Sequence, residues 1–309
     1  MPLISQLHVD GLLSNVSIKY DHKDLFIAMQ VFPEVMVKKE SDLFRVYDRN
    51  LRAPESQRAP RSEAQIHQFE VTTSTYILKR HSLKTLVTDH EAQNYDLADL
   101  RKETTEELTR ALLARLELDM ANLFTTTSWS LNVSLTSTLA WNANTIISDP
   151  APIWHTGAST ILANGGMKPN FGILPRDAFI ACKNHTSVLD RLKYTTAEVD
   201  EKKLAAMFDV DSLLVPSASY DQAPYGFSVA SAGFANSLTS FYGDVAFLGW
   251  KPSSAGPLKP SAGYVFRNSL PMVKRYREEK LDGEFIEVNM EYSARVIASL
   301  SGYLIKDVV

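Results

Sequence analysis

The sequence predicts an α+β chain built from a projecting β-hairpin, one long helix, a compact α/β segment and a closing β-hairpin. Three observations predict it. Residues 65–79 alternate strictly, with Phe69, Val71, Thr73, Thr75 and Ile77 on one face, the mark of a half-buried strand. Residues 96–123 hold neither Gly nor Pro and bring Leu97, Leu100, Thr104, Leu108, Leu112, Leu116 and Leu123 round at helical spacing. Residues 285–298 alternate again: Ile286, Val288, Met290, Tyr292, Ala294 and Val296 share one face, and Glu287, Asn289, Glu291, Ser293 and Arg295 the other.

The elements follow in chain order. Residues 1–40 mix short apolar runs, such as Leu25-Phe26-Ile27-Ala28, with polar interruptions and keep no period. They read as an extended arm that docks on something else. Within it, residues 31–37 form a short strand whose Pro33 suits a sheet edge. Residues 41–79 are a long hairpin, with its first strand at 43–47. Its tip, 49–62, repeats Arg-Ala-Pro and carries Arg49, Arg52, Pro54, Arg58, Pro60 and Arg61. Such a composition stays out of a core. The fifteen residues of 65–79, at about 3.3 Å each, carry that tip roughly 50 Å from its base. A ribbon of that length needs a covering surface, which in a homo-oligomer is the neighbouring subunit. The 96–123 helix is a rod of roughly 42 Å at 1.5 Å per residue. Asp96 and Asp99 suit the positive end of its dipole, and its remaining charges, Glu117 included, read as a solvated face.

From Pro150 the texture becomes mixed. A helix over 153–162 stops at Asn164-Gly165-Gly166, a C-cap sequence. A short strand at 171–175 precedes helices at 177–182, 187–194 and 201–208, and a further strand at 212–216. Residues 217–242, rich in Ser, Ala and Gly, read as a surface loop, and 244–249 as a strand. The hairpin of 272–278 and 285–298 turns on Asp282-Gly283.

Composition excludes several function classes. The 309 residues are 45 % hydrophobic and 22 % charged, ordinary globular material with enough apolar content for a core. A net charge of −4 argues against a surface that grips phosphates throughout, though a container for nucleic acid remains compatible with it. The lone Cys182 excludes an intrachain disulfide and the multi-cysteine zinc patterns. Its neighbours Lys183, Asn184 and His185 do not form a catalytic site by adjacency, and a lone cysteine reads as a small buried hydrophobe. No His-x-x-x-His pair and no phosphate-loop frame occurs. The first twenty residues lack the basic start of a signal peptide, and no apolar run reaches membrane-spanning length, so a cytoplasmic site of synthesis is expected. No catalytic, cofactor or metal site is expected.

The order of arm, projecting hairpin, long helix, α/β insert and long sheet resembles the Hong Kong 97-like capsid fold shared by tailed-phage coat proteins and encapsulins. The residues that carry the resemblance are 28–37, the Arg-Ala-Pro region 52–61, the helix 96–123 and the strands of 264–309. The resemblance implies an N-terminal arm (1–40), an extended loop (41–79), a peripheral domain (80–144 plus 259–309, with spine helix 96–123) and an axial domain (145–258). It implies a structural subunit, not an enzyme, that assembles with itself into hexamers and pentamers of an icosahedral head enclosing double-stranded DNA.

The implied partners are further copies of the chain, a separate scaffolding protein and a portal, with genomic DNA enclosed without sequence readout. The implied location is the virion, assembled in the bacterial cytoplasm. The loop-tip residues Arg49, Arg52, Pro54, Arg58, Pro60 and Arg61 are the expected inter-subunit contact, their guanidinium groups clamping a neighbour's carboxylates. Rival readings are an encapsulin-type compartment with protein cargo, a soluble α+β enzyme, and a phage tail or adaptor protein.

Overall fold

The computed structural model describes residues 8–9, 26–47, 57–58, 61, 63, 71–94, 99–125, 129–193, 199–221, 238–256 and 259–309. The chain starts with β1 (His8–Val9), α1 (Ala28–Val31) and β2 (Glu34–Met36), followed by β3 (Ser41–Tyr47), β4 (Val71–Ile77) and β5 (Lys79–Thr88). Then come α2 (Asp89–Asn94), the long α3 (Leu100–Thr125), β6 (Leu131–Ser134) and α4 (Pro150–Gly165). The mixed region continues with β7 (Phe171–Ile173), α5 (Arg176–Asn184), α6 (Thr186–Leu192), α7 (Glu201–Met207), β8 (Ser212–Leu214), β9 (Ser219–Asp221), β10 (Leu238–Ser240) and β11 (Ala246–Gly249). It closes with β12 (Gly263–Arg267), β13 (Met272–Glu278), β14 (Gly283–Val296) and β15 (Gly302–Lys306).

Among the described residues the strands form a six-stranded sheet around β14, a five-stranded sheet ordered β6-β15-β11-β7-β8, and two ribbons, β3-β4 and β9-β10. β14 is the organiser of the first sheet. One edge takes β5 along residues 283–292, and the other takes β13 and then β12 end to end. Between those two partners, residues 268–271 face only 290–291, a bulge that holds Pro271. The arm supplies outer strands: β1 pairs β13 antiparallel and β2 pairs β12 in parallel.

The α3 helix buries two ridges on this sheet. Leu108, Leu112, Leu116, Met120 and Phe124 form one, and Thr105, Thr109, Leu113, Glu117 and Ala121 the next. They meet Val87, Val273, Ile286, Val288, Met290 and Tyr292 in one core. Each fully buried leucine in that stripe contributes about 1.5–3 kcal/mol. The buried threonines satisfy their own hydroxyls by donating to carbonyls four residues back, Thr105 to Arg101 at 2.8 Å and Thr109 to Thr105 at 2.7 Å. Asp99 caps the helix, its carboxylate accepting the Arg101 amide at 3.1 Å. The helix begins at Leu100, four residues later than its leucine spacing suggests; 95–98 lie outside the described residues.

The hairpin and α4 follow their sequence signals closely. β13 and the strictly alternating β14 face each other from Met272↔Asn289 to Glu278↔Gly283. The turn is longer than the expected two residues. Glu279–Leu281 makes a 3-10 turn, Asp282 takes φ 41°, and Gly283 already belongs to the strand. A Cβ on Gly283 would stand 2.7 Å from the Val87 carbonyl oxygen, so the close approach of β5 requires glycine there. Gly166 caps α4 at φ 71° with its amide on the Leu162 carbonyl.

Three regions differ from their sequence reading. The 65–79 strand is two elements: β4 stays in the ribbon, and after Leu78 the chain enters the six-stranded sheet as β5. The described ends of 217–242 pair as the β9-β10 ribbon instead of forming plain loop, with Tyr220 stacked on Phe241 at 4.9 Å. Glu117 is buried, not solvated, because it falls on the second ridge of α3.

Candidate assembly surfaces

The β3-β4 ribbon stands outside both larger sheets. Its two strands pair only with each other among the described residues, in register from Ser41↔Ile77 to Tyr47↔Val71. One face rests on the sheet: Tyr76 stacks on Phe266 at 4.5 Å and Phe44 lies 5.3 Å from the same ring. The opposite face carries Leu43 (62 % exposed) and Ile77 (54 % exposed) beside exposed Arg45, Thr73 and Thr75. A two-stranded ribbon with one wet apolar face is marginal alone in water.

Of the tip residues singled out by composition, Arg58 and Arg61 are described and exposed, and Arg61 adopts φ 70°. Arg49, Arg52, Pro54 and Pro60 lie outside the described residues. The apolar positions Leu43 and Ile77 were not singled out. Adjacent Leu43 and Phe44 on a strand are the signal that finds them, since neighbours point to opposite faces and both faces then need cover.

A second surface lies at residues 144–149, where Ile146 (90 % exposed) and Ile147 (74 % exposed) stand side by side. The turn that carries them is firmly built. Ser148 accepts and donates within a capping box with Thr145, and its hydroxyl sits 3.0 Å from Nε2 of the buried His185. The Asn144 side chain accepts the Thr186 amide at 2.9 Å, and Asp149 pairs with Arg191 at the start of α4. A turn fixed at so many points holds its two isoleucines in water. No periodic pattern surrounds them in the sequence, so hydropathy reading passes over them.

Ion pairs and hydrogen bonds tie the elements of the body together. Polar groups on the sheet pair with the helix side: Arg101 meets Glu284 at 3.1 Å, and the Tyr292 hydroxyl donates to Asp119 at 2.8 Å. Arg277 meets Asp89 at 2.8 Å and holds that carboxyl below its ordinary range. Arg267, buried beneath β2, pairs with Glu34 at 2.8 Å. Cys182 is buried in the second core, and that burial pushes its thiol far up. Among the described residues no group of three or more His, Cys, Asp and Glu is placed to hold a metal ion, and no helix is long and apolar enough to cross a membrane.

No family model matches the chain. A curated relative does: the major capsid protein of Burkholderia phage BcepMu is 24 % identical over 318 residues, covering 97 % of this chain and 96 % of that one. Among solved structures, a phage-related protein of Bordetella bronchiseptica superposes with a TM-score of 0.77 at 21 % identity, over 98 % of both chains. A capsid structure of the cyanophage P-SCSP1u superposes with a TM-score of 0.60 at 12 % identity, over 89 % of this chain and 86 % of that one. Over nearly its whole length the chain is a homologue of a phage major capsid protein, and it has the fold of phage capsid subunits.

Proposed function

We propose that this chain is the major capsid protein of a tailed phage, a structural subunit whose work is self-assembly. The observation that carries the reading is the end-to-end match to a phage major capsid protein, in sequence at 97 % coverage. An α+β body with an uncovered projecting ribbon is the kind of subunit that role needs.

In the Hong Kong 97-like frame, residues 1–40 are the arm and 41–79 the extended loop. Residues 80–144 with 259–309, built on α3, are the peripheral domain, and residues 145–258 are the axial domain, with β6 and β15 of the peripheral segments completing its sheet. Hexamers and pentamers then close an icosahedral shell around double-stranded DNA. The ribbon lies over an adjacent subunit, which covers Leu43 and Ile77, while Arg49, Arg52, Arg58 and Arg61 at its tip, flanked by Pro54 and Pro60, meet the neighbour's carboxylates. The Ile146-Ile147 turn makes the corresponding contact of the axial domain. Binding energy is spread over broad interfaces instead of a pocket. A separate scaffolding protein and a portal complete the assembly, and DNA is held without base readout.

Electron microscopy of the purified chain, alone and with candidate scaffolding proteins, tests this. Closed isometric particles holding nuclease-protected DNA are expected from phage-infected cells, and empty closed shells from the isolated protein. A DNA-free shell packed with a protein cargo would replace the phage-head reading with a protein compartment. A chain that stays monomeric or dimeric under all these conditions would overturn both.

A further inference from the structure

Residues 26–32 run over the middle of α3, with Ile27, Ala28, Val31 and Phe32 buried. Phe32 ends the segment in an aromatic cluster, 5.9 Å from Phe124 and 6.4 Å from Phe171. Two charged side chains lie beneath this single turn of helix. Glu117 is fully buried; its Oε2 accepts the Ala28 amide at 2.7 Å, while its Oε1 and the nearby Tyr242 hydroxyl make no hydrogen bond of good geometry. Lys251 donates from Nζ to the Gln30 carbonyl and stands 4.8 Å over the Phe171 ring. Neither charge has an ion-pair partner among the described residues. The groups that face Glu117 are the amides of Ile27 and Ala28 and the Tyr242 hydroxyl. Those that face Lys251 are the Gln30 carbonyl and the Phe171 ring, while Asn170 bonds only its backbone.

An anion at the amide end of a turn and a cation at its carbonyl end match the peptide dipoles in sign. One turn supplies a weak field, however, and a charge without a counter-ion gives up hydration in proportion to its burial, complete at Glu117 and partial at Lys251. We infer that residues 26–32 form a strap docked against its own electrostatics: four buried apolar side chains hold it over two charges that regain water when it lifts, so that neutralising either charge tightens it.

The titration of both groups agrees with the geometry. Burial pushes the Glu117 carboxyl up against the opposing pull of the Ala28 amide, the Tyr242 hydroxyl and the Ile27 amide. Burial pulls the Lys251 ammonium down to about 8. Each shift disfavours the charged form of the docked state. The Glu117 contribution is therefore complete in acid and lost as pH rises through its raised value. The Lys251 contribution is complete in strong base and lost as pH falls through about 8. The strap is at its loosest between the raised Glu117 value and about 8, where both groups are charged.

Hydrogen exchange with mass-spectrometric readout on the full chain tests this, as the ratio of protection in peptides from 26–32 to protection in peptides from 112–120. It reads an internal motion of one chain, so its outcome is separate from whether the chain forms shells. Glu117→Gln keeps the acceptor for Ala28 and removes the charge, and Lys251→Met keeps the aliphatic stem. Each is expected to slow strap exchange relative to the helix by roughly tenfold at neutral pH. The wild-type ratio should rise as pH is lowered through the raised Glu117 value and again as pH is raised through about 8, with Glu117→Gln flattening the acid limb alone and Lys251→Met the alkaline limb alone. Faster strap exchange in both variants would show that the charges are attractive anchors and would overturn the inference. So would a ratio indifferent to pH and to both substitutions.

Discussion

Phe124→Ala is the substitution most damaging to the junction of the molecule. The ring is 1 % exposed and touches four others: Phe247 at 4.7 Å, Phe32 at 5.9 Å, Trp129 at 6.0 Å and Tyr242 at 6.1 Å. Those rings come from the arm, the segment after α3 and the neighbourhood of β11, so no single element can shift to fill the void. Phe→Ala in a core costs about 3–5 kcal/mol, and aromatic pairs add roughly 0.5–1.5 kcal/mol each beyond the area they bury. A loss of about 4–5 kcal/mol follows, a large share of the 5–15 kcal/mol or so that stabilises an ordinary domain. Urea unfolding of the unassembled chain, followed by tryptophan fluorescence, measures it directly, because Trp129 lies parallel to the Phe124 ring. Phe124→Leu should lose less than half as much. Ile147→Ala, at an exposed position, should stay within about 0.5 kcal/mol of wild type. A Phe124→Ala loss below about 1.5 kcal/mol would refute the claim that this cluster joins the arm to both sheets.

Glu34→Ala removes the partner of a buried guanidinium whose Nε and Nη2 have no other hydrogen bond. Because Glu34 itself is part-exposed, the expected loss is near the low end of the range for broken buried pairs, about 3 kcal/mol, read as a lowered thermal midpoint. Cys182 should resist iodoacetamide in the native chain even at mildly alkaline pH, since burial both hides the sulfur and raises its thiol, and should alkylate stoichiometrically in urea. Rapid native alkylation would mean that the second core opens locally. Leu43→Asp and Ile147→Asp should each leave the unfolding midpoint unchanged and abolish particles in electron micrographs, whereas particles of normal yield would remove those faces from the assembly contacts.

How much of this was legible in the sequence varies with how local the signal is. The β13-β14 hairpin and α4 have local signals, a period of two around Asp282-Gly283 and a helix ending in Asn164-Gly165-Gly166, and both form, with a longer turn and an earlier helix start than those signals give. β5 has none. Its residues Lys79–Thr88 are largely exposed, with Val87 the buried one, and the strand exists because β14, some two hundred residues later, offers it a ten-residue register. The last strand is a similar case. Tyr303, Leu304 and Ile305 announce a buried strand, but no local feature tells which sheet receives it, and it enters the five-stranded one between β6 and β11. Glu117 was misread for a different reason: charge alone suggested solvent. Its four-residue spacing from Leu113 and Ala121 already placed it on the inward ridge. For the candidate surfaces, the arginines of the tip stand out by composition, while Leu43 and Ile146 show themselves only once their neighbours are seen to be satisfied without them.

The topology explains why the two sheets form one packed body. The chain passes between the two sheets three times: from α3 into β6, from β11 into β12, and from β14 into β15. The aromatic rings around Phe124 fill the space between those crossings. Sliding one sheet against the other would disturb the packing of all three connections at once. Unfinished structure is left at the margins. The ribbon has two unpaired strand edges and an apolar face, and the 144–149 turn holds two isoleucines in water. Among the described residues nothing covers these features, and in the proposed assembly that role falls to further copies of the chain. Substitutions in the body should therefore act on the stability of the single chain, and substitutions at the margins on the number of chains that come together.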